Sequence, residues 1–252
     1  MTRSDRIANW LRDRAGQAGA RGFILGMSGG IDSAVVARLC QRAAPGRVLG
    51  VIMPCYSQPQ DELDAVLTAD ASGLPTVRVD LASAYDAMAL DITAGITSAR
   101  NHGFTADEQR SKLAFANIKP RLRMTTLYSI GTPLGLLVTG TGNRSEIAIG
   151  YYTKYGDGGV DLLPIGALVK REVRELAREL GVPDRILDKA PSAGLWAGQT
   201  DEIEMGFTYD DLERFLTEGP SSVPAPTAAR IQQLAGASDH KRALPPICSA
   251  AD

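Results

Sequence analysis

A strand, a tight turn and a helix are predicted at residues 23–39, and the turn carries the most specific chemical pattern of the chain. It reads S-G-G-I-D-S at residues 28–33, between two apolar runs. Adjacent glycines let the backbone approach a ligand without obstruction by Cβ atoms, and the N–H groups of the turn and of the helix N-terminus form an anion site. The turn therefore predicts a phosphate site. Ser28 and Ser33 would add hydroxyl donors, and Asp32 a hard oxygen ligand for phosphate-bound Mg²⁺.

This turn differs from a Walker A loop, which needs the pattern G-x-x-x-x-G-K-[ST] with its phosphate-binding lysine. Residues 1–111 contain no lysine. A Gly-Gly turn between a strand and a helix is also common as a purely structural element of α/β proteins. That alternative stays open for these residues taken alone.

A second turn of small residues, G-T-G-N-R-S-E at residues 140–146, follows another apolar run and ends in a carboxylate. Asp32 and Glu146 each come a few residues after a predicted strand, so both are expected to reach one Mg²⁺ that bridges phosphates. The alternative for Glu146 is an acid in the first turn of a helix, where it interacts favourably with the helix dipole.

Irregular, polar segments accumulate in the second half of the chain. Residues 151–164 read Y-Y-T-K-Y-G-D-G-G-V-D-L-L-P, and glycines on both sides of Asp157 favour a rigid binding loop over a helix or a strand. Lys170 opens an amphipathic helix and is expected to point outward or at a phosphate. Further irregular segments follow, K-A-P-S-A-G-L-W at residues 189–196 and G-Q-T-D-E at residues 198–202. The alternative for each segment alone is solvated surface.

The predicted elements alternate between strand and helix, with apolar strands at residues 23–27, 48–53, 76–81 and 136–140. Continuous rather than alternating apolar strands indicate a parallel sheet covered on both faces, so a doubly wound α/β fold is expected, as one domain over residues 1–252. The turns after residues 27, 53, 81 and 140 should converge, because ligands bind at the carboxyl ends of such strands. A long helix is predicted at residues 112–130, bent at Pro120.

Composition is that of an ordinary globular protein, with 252 residues, 44% hydrophobic residues and a net charge of −2. No basic excess indicates a nucleic-acid surface, and neither a signal peptide nor a membrane-length apolar run occurs, so a cytoplasmic location is expected. The three cysteines are far apart and only two histidines accompany them. Neither a zinc site nor a disulfide framework is predicted, and Cys40 is expected in the core.

The quoted motifs, together with N-I-K-P-R-L-R-M at residues 117–124 and H-K-R at residues 240–242, resemble in order and spacing the NAD synthetase family of ATP pyrophosphatases. The resemblance covers nearly the whole chain, and Y-T-K-Y-G-D-G-G separates this family from GMP and asparagine synthetases. It implies an adenine nucleotide alpha hydrolase-like fold and ATP-dependent amidation of deamido-NAD. In that reaction ATP adenylates the nicotinate carboxylate, pyrophosphate leaves, and ammonia displaces AMP.

The resemblance also implies roles for individual residues. Those expected to bind ATP are Gly26, Met27, Ser28, Gly29, Gly30, Ile31, Asp32, Ser33, Thr141, Lys170 and Ser192. Those expected to bind deamido-NAD are Arg121, Lys154, Asp161, His240 and Lys241. Asp32 and Glu146 would hold Mg²⁺, and Asp157 would orient or deprotonate ammonia, with an Asx-turn role as its alternative. Ser28 should bind phosphate rather than attack, because adenylation needs no enzyme nucleophile.

Some features limit this transfer. Residues 52–58 read I-M-P-C-Y-S-Q where many members have R-L-P-Y-G-x-Q, so adenine and ribose contacts cannot be assigned there, and Ser192 replaces a common threonine. No glutaminase domain is expected before the first strand, which implies free ammonia as the donor, with a separate glutaminase as an alternative. A homodimer is implied, with residues 112–130 as the candidate interface. The rival readings are a nucleotide-binding sensor and a ligase that acts on another carboxylate.

Overall fold

Four parallel strands form one sheet in the computed structural model, which describes residues 1–190 and 200–248. The strands are β1 (Gly22–Gly26), β2 (Val48–Ile52), β3 (Thr76–Arg78) and β4 (Leu136–Val138), in the order β3-β2-β1-β4. Every neighbouring pair is parallel. The predicted doubly wound α/β fold is therefore confirmed. The third strand is shorter than predicted and ends at Arg78.

Helices connect the strands and complete the C-terminal part. They are α1 (Arg3–Gln17), α2 (Ile31–Ala43), α3 (Pro59–Ala71), α4 (Ala82–Asn101), α5 (Glu108–Ala116), α6 (Ile118–Leu134), α7 (Arg144–Ile149), α8 (Lys170–Glu179), α9 (Asp184–Leu187), α10 (Asp201–Met205), α11 (Tyr209–Glu218), α12 (Ala225–Ala237) and α13 (Asp239–Arg242). Within the described ranges, no helix has the length and apolar character needed to cross a membrane.

Both faces of the sheet are covered by helices. Phe23 and Leu25 of β1 belong to one buried cluster with residues of α1, α2 and α8, whereas Ile24 belongs to a second cluster that includes Leu127 of α6. Side chains alternate between the faces of a strand, and both faces here are dry, so the strand needs apolar residues at every position. This burial explains the continuous apolar run of β1.

The helix predicted at residues 112–130 is two helices, so the prediction of one bent helix is wrong. The helices α5 and α6 are separated at Asn117. A proline ring within a helix clashes with the carbonyl four residues earlier, which for Pro120 is that of Ala116. After the break, Pro120 is the third residue of α6, where the first N–H groups have no partner within the helix.

The strand order creates a crevice between β1 and β4. The chain adds β2 and β3 on one side of β1 and then pairs β4 with the other side, where Ile24 lies opposite Val138. Helices on opposite faces diverge at such a reversal, and the ends of the two strands border a binding crevice. The two predicted turns of small residues, after β1 and after β4, therefore lie side by side.

All three cysteines are free, with Cys40 and Cys55 buried and Cys248 exposed. Cys40 lies in the same buried cluster as α1 and α2, as predicted. Burial raises the pKa of its thiol to about 12, so Cys40 behaves as a small apolar side chain.

Candidate functional site

The turn after β1 is shaped by a glycine that no other residue can replace without strain. Gly29 has a φ of +74°, and a Cβ on it would lie 2.3 Å from the carbonyl oxygen of Asp61. The Ser33 hydroxyl donates to the Gly30 carbonyl oxygen over 2.9 Å and lies 3.1 Å from the Ser28 hydroxyl. The turn is thus braced from within, and α2 begins directly after it with its N-terminus at the crevice.

A cavity of about 600 Å³ extends from this turn across the ends of β1, β2 and β4. The predicted site residues that line it are Gly26, Met27, Ser28, Gly30, Ile31, Asp32, Thr141, Glu146, Asp157, Lys170 and Lys241. Gly29 and Ser33 are not on the lining and act through the shape of the turn. The turn after residue 81 does not line the cavity, contrary to prediction. The reason is that β3 is the edge strand farthest from β4.

Asp32, Glu146 and Lys170 form one charged cluster at the crevice. The Lys170 ammonium lies 2.5 Å from Asp32 Oδ2 and 3.6 Å from Glu146 Oε1. Asn143 donates its side-chain amide to Asp32 Oδ1 over 3.0 Å and its backbone N–H to Glu146 Oε2 over 3.1 Å. Of the two alternatives for Lys170, the outward one is wrong, since only 3% of its side chain is exposed.

The electrostatics of this cluster are those of two partly buried carboxyl groups that share one ammonium group. Burial raises the pKa of Glu146 well above its usual range, and repulsion by Asp32 raises it further. Burial by itself lowers the pKa of Lys170, but attraction by Asp32 and Glu146 outweighs it and the pKa is raised. Lys170 therefore stays positively charged, and its single charge can neutralise only one of the two carboxylates that it contacts.

A third buried carboxylate, Asp201, lies behind Lys170 and was not singled out from the sequence. Its Oδ2 accepts from the Tyr209 hydroxyl over 2.8 Å, and both residues are buried. The Lys170 ammonium also lies 5.3 Å from the centroid of the Tyr209 ring. The only sequence signal was that Asp201 belongs to the quoted G-Q-T-D-E motif.

The donor chemistry of Asp32 and Glu146 fits Mg²⁺. This ion is typically held by one or two carboxylates, with phosphate oxygens and water as its other ligands. No group of three or more metal-binding side chains occurs among the residues described. Two carboxylates that share one lysine offer few ligands, so they would suit an ion that arrives already bound to ATP better than one held by the protein alone.

A second ion network braces the phosphate turn from the side of α3. The Lys189 ammonium donates to Asp61 and to Asp64, each over 2.8 Å, and to the Gly29 carbonyl oxygen over 3.2 Å. Arg185 completes the network through Asp64. The K-A-P-S motif pointed to this segment without assigning Lys189 a role. Ser192 lies outside the described residues.

The glycine loop after α7 is held by a carboxylate. Asp157 Oδ1 accepts from the Thr153 N–H over 2.8 Å. The donor lies four residues before Asp157, whereas an Asx turn would use the N–H two residues after it, so this contact braces the loop without forming the expected turn. Asp157 also lines the cavity, and removal of its carboxyl group from water raises the pKa above its usual value. The carboxylate thus holds the loop and also faces the cavity, and its role toward ammonia stays a prediction.

Of the five residues expected to bind deamido-NAD, Lys241 alone lines the cavity within the described part of the chain. Its ammonium donates to the carbonyl oxygens of Gly150 and Tyr152, over 2.6 and 2.7 Å. Arg121 donates to the Lys154 carbonyl oxygen and Lys154 donates to that of His240. These contacts tie α6, the glycine loop and α13 together beside the cavity.

Asp161 lies outside the cavity lining. Its Oδ2 accepts from the backbone N–H of Val138 over 2.8 Å, and its Oδ1 accepts from the Tyr128 hydroxyl over 2.9 Å. The carboxylate thus satisfies a backbone donor of β4 and links the strand to α6. In this chain its contacts are those of a structural residue.

Comparisons with known proteins agree with this geometry. The family model described as NAD synthase matches residues 4–245. A relative named NH(3)-dependent NAD(+) synthetase from Carboxydothermus hydrogenoformans is 49% identical over 97% of this chain and 96% of its own. Among solved structures, an NMN synthetase from Francisella tularensis has a TM-score of 0.86 at 38% identity over 98% of this chain and 97% of that one. An NH3-dependent NAD synthetase from Campylobacter jejuni has a TM-score of 0.76 at 25% identity over the same shares. The chain therefore belongs to the NAD synthase family, and it is an enzyme, a ligase that forms a carbon–nitrogen bond.

Proposed function

We propose that this ligase converts deamido-NAD to NAD with ATP and free ammonia, through an adenylated nicotinate carboxylate. The observation that carries the proposal is the cluster of Asp32, Glu146 and Lys170 beside the glycine turn. A carboxylate is a poor acyl donor because its leaving group would be oxide. A site built from a phosphate turn, two carboxylates and a lysine suits a reaction that first places a phosphate on that oxygen.

In the first step a carboxylate oxygen of nicotinate attacks the α-phosphorus of ATP, the bond to the β-phosphate oxygen breaks, and pyrophosphate leaves. The N–H groups at the start of α2 would hold the phosphates, and the Lys170 ammonium would neutralise charge on them. Magnesium held by Asp32 and Glu146 would supply further positive charge for the leaving pyrophosphate.

In the second step ammonia attacks the acyl carbon and AMP leaves with the former carboxylate oxygen. The nitrogen gives up a proton as the amide forms, and an incoming ammonium ion must give up one more. Asp157 is the candidate acceptor, because it lines the cavity and because its raised pKa makes it a stronger base than an ordinary aspartate.

We also propose a homodimer, and one helix supports it. The 20-residue helix α4 buries none of its residues in a single chain, and Leu90 on it is 72% exposed. Tyr85 of α4 packs against the core, but a helix with so little packed surface gains little stability from its backbone alone, so a second copy is the expected cover. This adds α4 to the candidate interface at residues 112–130, of which the part in α6 already packs apolar side chains against the sheet. Light scattering that gives a fully active monomer would contradict the dimer.

Two observations favour a second candidate, a mononucleotide substrate. The Francisella tularensis structure, an NMN synthetase, has a higher TM-score than the Campylobacter jejuni NAD synthetase. In addition, four of the five residues expected to bind the dinucleotide are absent from the cavity lining of one chain, namely Arg121, Lys154, Asp161 and His240. The corresponding reaction would amidate nicotinate mononucleotide by the same two steps.

The deciding experiment is an amidation assay with purified protein, ATP, Mg²⁺ and ammonium. Deamido-NAD and nicotinate mononucleotide are compared by kcat/KM, and AMP and pyrophosphate are quantified with the amide. Formation of NAD, AMP and pyrophosphate in equal amounts is expected. A higher kcat/KM for the mononucleotide would transfer the assignment to that substrate, and release of ADP and phosphate would overturn the adenylation step.

A further inference from the structure

Arg123 is a cation of the cavity wall to which no motif assigned a role. It lies in the second turn of α6, where its Nε donates to the Met53 carbonyl oxygen and its Nη2 to the Ser57 hydroxyl, each over 3.2 Å. Both acceptors are neutral. Across residues 1–190 and 200–248, the guanidinium forms no salt bridge.

This arrangement is costly unless an anion completes it. Removal of the guanidinium from water lowers the pKa of Arg123, which means that its charged form is disfavoured in the chain alone. Two neutral acceptors compensate a partly buried charge only in part, and an anion does so far better. Nε and Nη2 donate to the segment after β2, at Met53 and Ser57. Nη1 offers two more N–H donors in the fixed planar geometry that suits carboxylate or phosphate.

The other cations of the cavity wall are already engaged. Lys170 and Lys189 form ion pairs with aspartates, and Lys241 donates to two backbone carbonyl oxygens. Among these side chains Arg123 is the one that combines a planar fork with the lack of an ion pair. An anionic group that enters the cavity would therefore gain most from contact with Arg123.

Its position matches the meeting point of two anionic groups. Arg123 contacts the end of β2, the neighbour of the strand that leads into the phosphate turn. On the other side its positive charge acts on Asp157, the candidate proton acceptor, and lowers the pKa of that carboxyl group, in part offsetting its burial. The groups that must approach each other between these points are the acyl carboxylate and the α-phosphate.

We infer that Arg123 forms an anion subsite at the reacting centre, where its guanidinium binds the oxygens of the acyl carboxylate or of the phosphate that becomes joined to it. The inference rests on the proposed amidation and adds a binding residue to it. The contacts with Met53 and Ser57 orient the guanidinium, and the anion supplies the negative charge that this partly buried cation lacks.

The test compares Arg123→Lys and Arg123→Met with two controls. Ser57→Ala removes the hydroxyl that Arg123 holds, and Arg178→Met removes an exposed arginine of α8. Loss of a donor to a developing charge typically costs about 100-fold or more in rate. We expect that loss in kcat/KM for both Arg123 variants, with Arg123→Lys the less affected because it keeps the charge. Ser57→Ala removes one of the two contacts that aim the fork but keeps its charge, so it should lose less than either Arg123 variant. Arg178→Met should keep its activity.

Calorimetry identifies the anion and separates the two proposals. Deamido-NAD alone and a non-hydrolysable ATP analogue alone are titrated into wild type and Arg123→Lys at matched melting temperatures. Weaker binding of the first assigns the carboxylate, and weaker binding of the second assigns the phosphate. Unchanged binding of both together with unchanged kcat/KM would overturn the subsite, as would an equal loss in Ser57→Ala. Failure of the wild type to form NAD would instead refute the proposed function, and titration with the ATP analogue would still test Arg123.

Discussion

The ammonium group of Lys170 lies 2.5 Å from Asp32 Oδ2, although 138 residues separate them in the sequence. Asp32 is in the first turn of α2 and Lys170 is the first residue of α8, so the contact joins the starts of two helices that pack together. With Glu146 at 3.6 Å, the same ammonium also reaches the helix that follows β4. Asp32, Glu146 and Lys170 therefore interact directly, and substitution of any one of them should change the environment of the other two.

Asp32→Asn and Glu146→Gln should each abolish turnover without loss of the fold, because each removes an anionic ligand for the ion that carries the leaving pyrophosphate. The double variant should be scarcely worse than either single one, since the pair acts together. Turnover is measured over a range of Mg²⁺, with circular dichroism as the control. Near-normal activity of either variant at limiting Mg²⁺ would contradict the shared ion.

Lys170→Met should destabilise the fold, in contrast to the two carboxylate variants. It leaves Asp32 and Glu146, both partly buried, without their cation, and removal of one partner from a buried pair costs about 3–5 kcal/mol. Urea unfolding in metal-free buffer measures the loss. Adding Asp32→Asn to the same protein should recover part of it, and strictly additive losses would show that the two residues do not interact.

Asp157→Asn and Asp157→Ala distinguish the two roles of this carboxylate. Asparagine can still accept from the Thr153 N–H but cannot take a proton, so Asp157→Asn should keep the melting temperature and lose about 100-fold or more in kcat. Asp157→Ala should lose stability as well, because the Thr153 N–H loses its acceptor.

The pH profile of kcat provides a second readout for Asp157. A base acts only when deprotonated, so wild-type kcat should fall as the pH drops through the raised pKa of this carboxyl group. That acidic limb should vanish in Asp157→Asn. If Asp157→Asn instead has the kcat and profile of the wild type, Asp157 only shapes the turn.

Lys241→Ala should raise the KM for deamido-NAD more than the KM for ATP. Lys241 lines the cavity opposite the phosphate turn and holds the carbonyl oxygens of Gly150 and Tyr152, so it acts on that end of the site. Loss of a charged hydrogen bond corresponds to about 1.5–3 kcal/mol. Steady-state kinetics with each substrate varied in turn gives the two values. Equal effects on both would place the role of Lys241 elsewhere.

Ammonium should support the reaction and glutamine should not. A nucleophilic cysteine for glutamine hydrolysis needs a lowered pKa, whereas burial raises the pKa of both Cys40 and Cys55. Glutamate and NAD are measured with each nitrogen source. Efficient use of glutamine by the purified chain would overturn the prediction of a single domain without glutaminase.

The sequence was sufficient to predict the sheet and the meeting of Asp32 with Glu146. Continuous apolar strands indicated parallel pairing with both faces covered, and the carboxyl ends of such strands meet at one edge. Neither inference needs knowledge of side-chain contacts. Each follows from properties that the backbone imposes on any chain with this pattern.

The remaining features depend on contacts between distant segments. Nothing local distinguishes Arg123, which lacks an ion pair, from Lys189, which has two. The same holds for Asp161, whose motif predicted substrate binding but whose oxygens accept from β4 and α6. Partners of this kind are fixed only when the elements pack, so a motif can identify a segment without stating what each of its charges contacts.

The place of β4 beside β1 also makes the site depend on a contact between distant parts of the chain. Pairing of these strands closes a loop of more than a hundred residues, and closing a loop costs entropy that rises with its length. The same pairing brings the turn that carries Glu146 beside the turn that carries Asp32. A substitution that weakens the pairing of β4 should therefore impair catalysis even where it touches neither carboxylate.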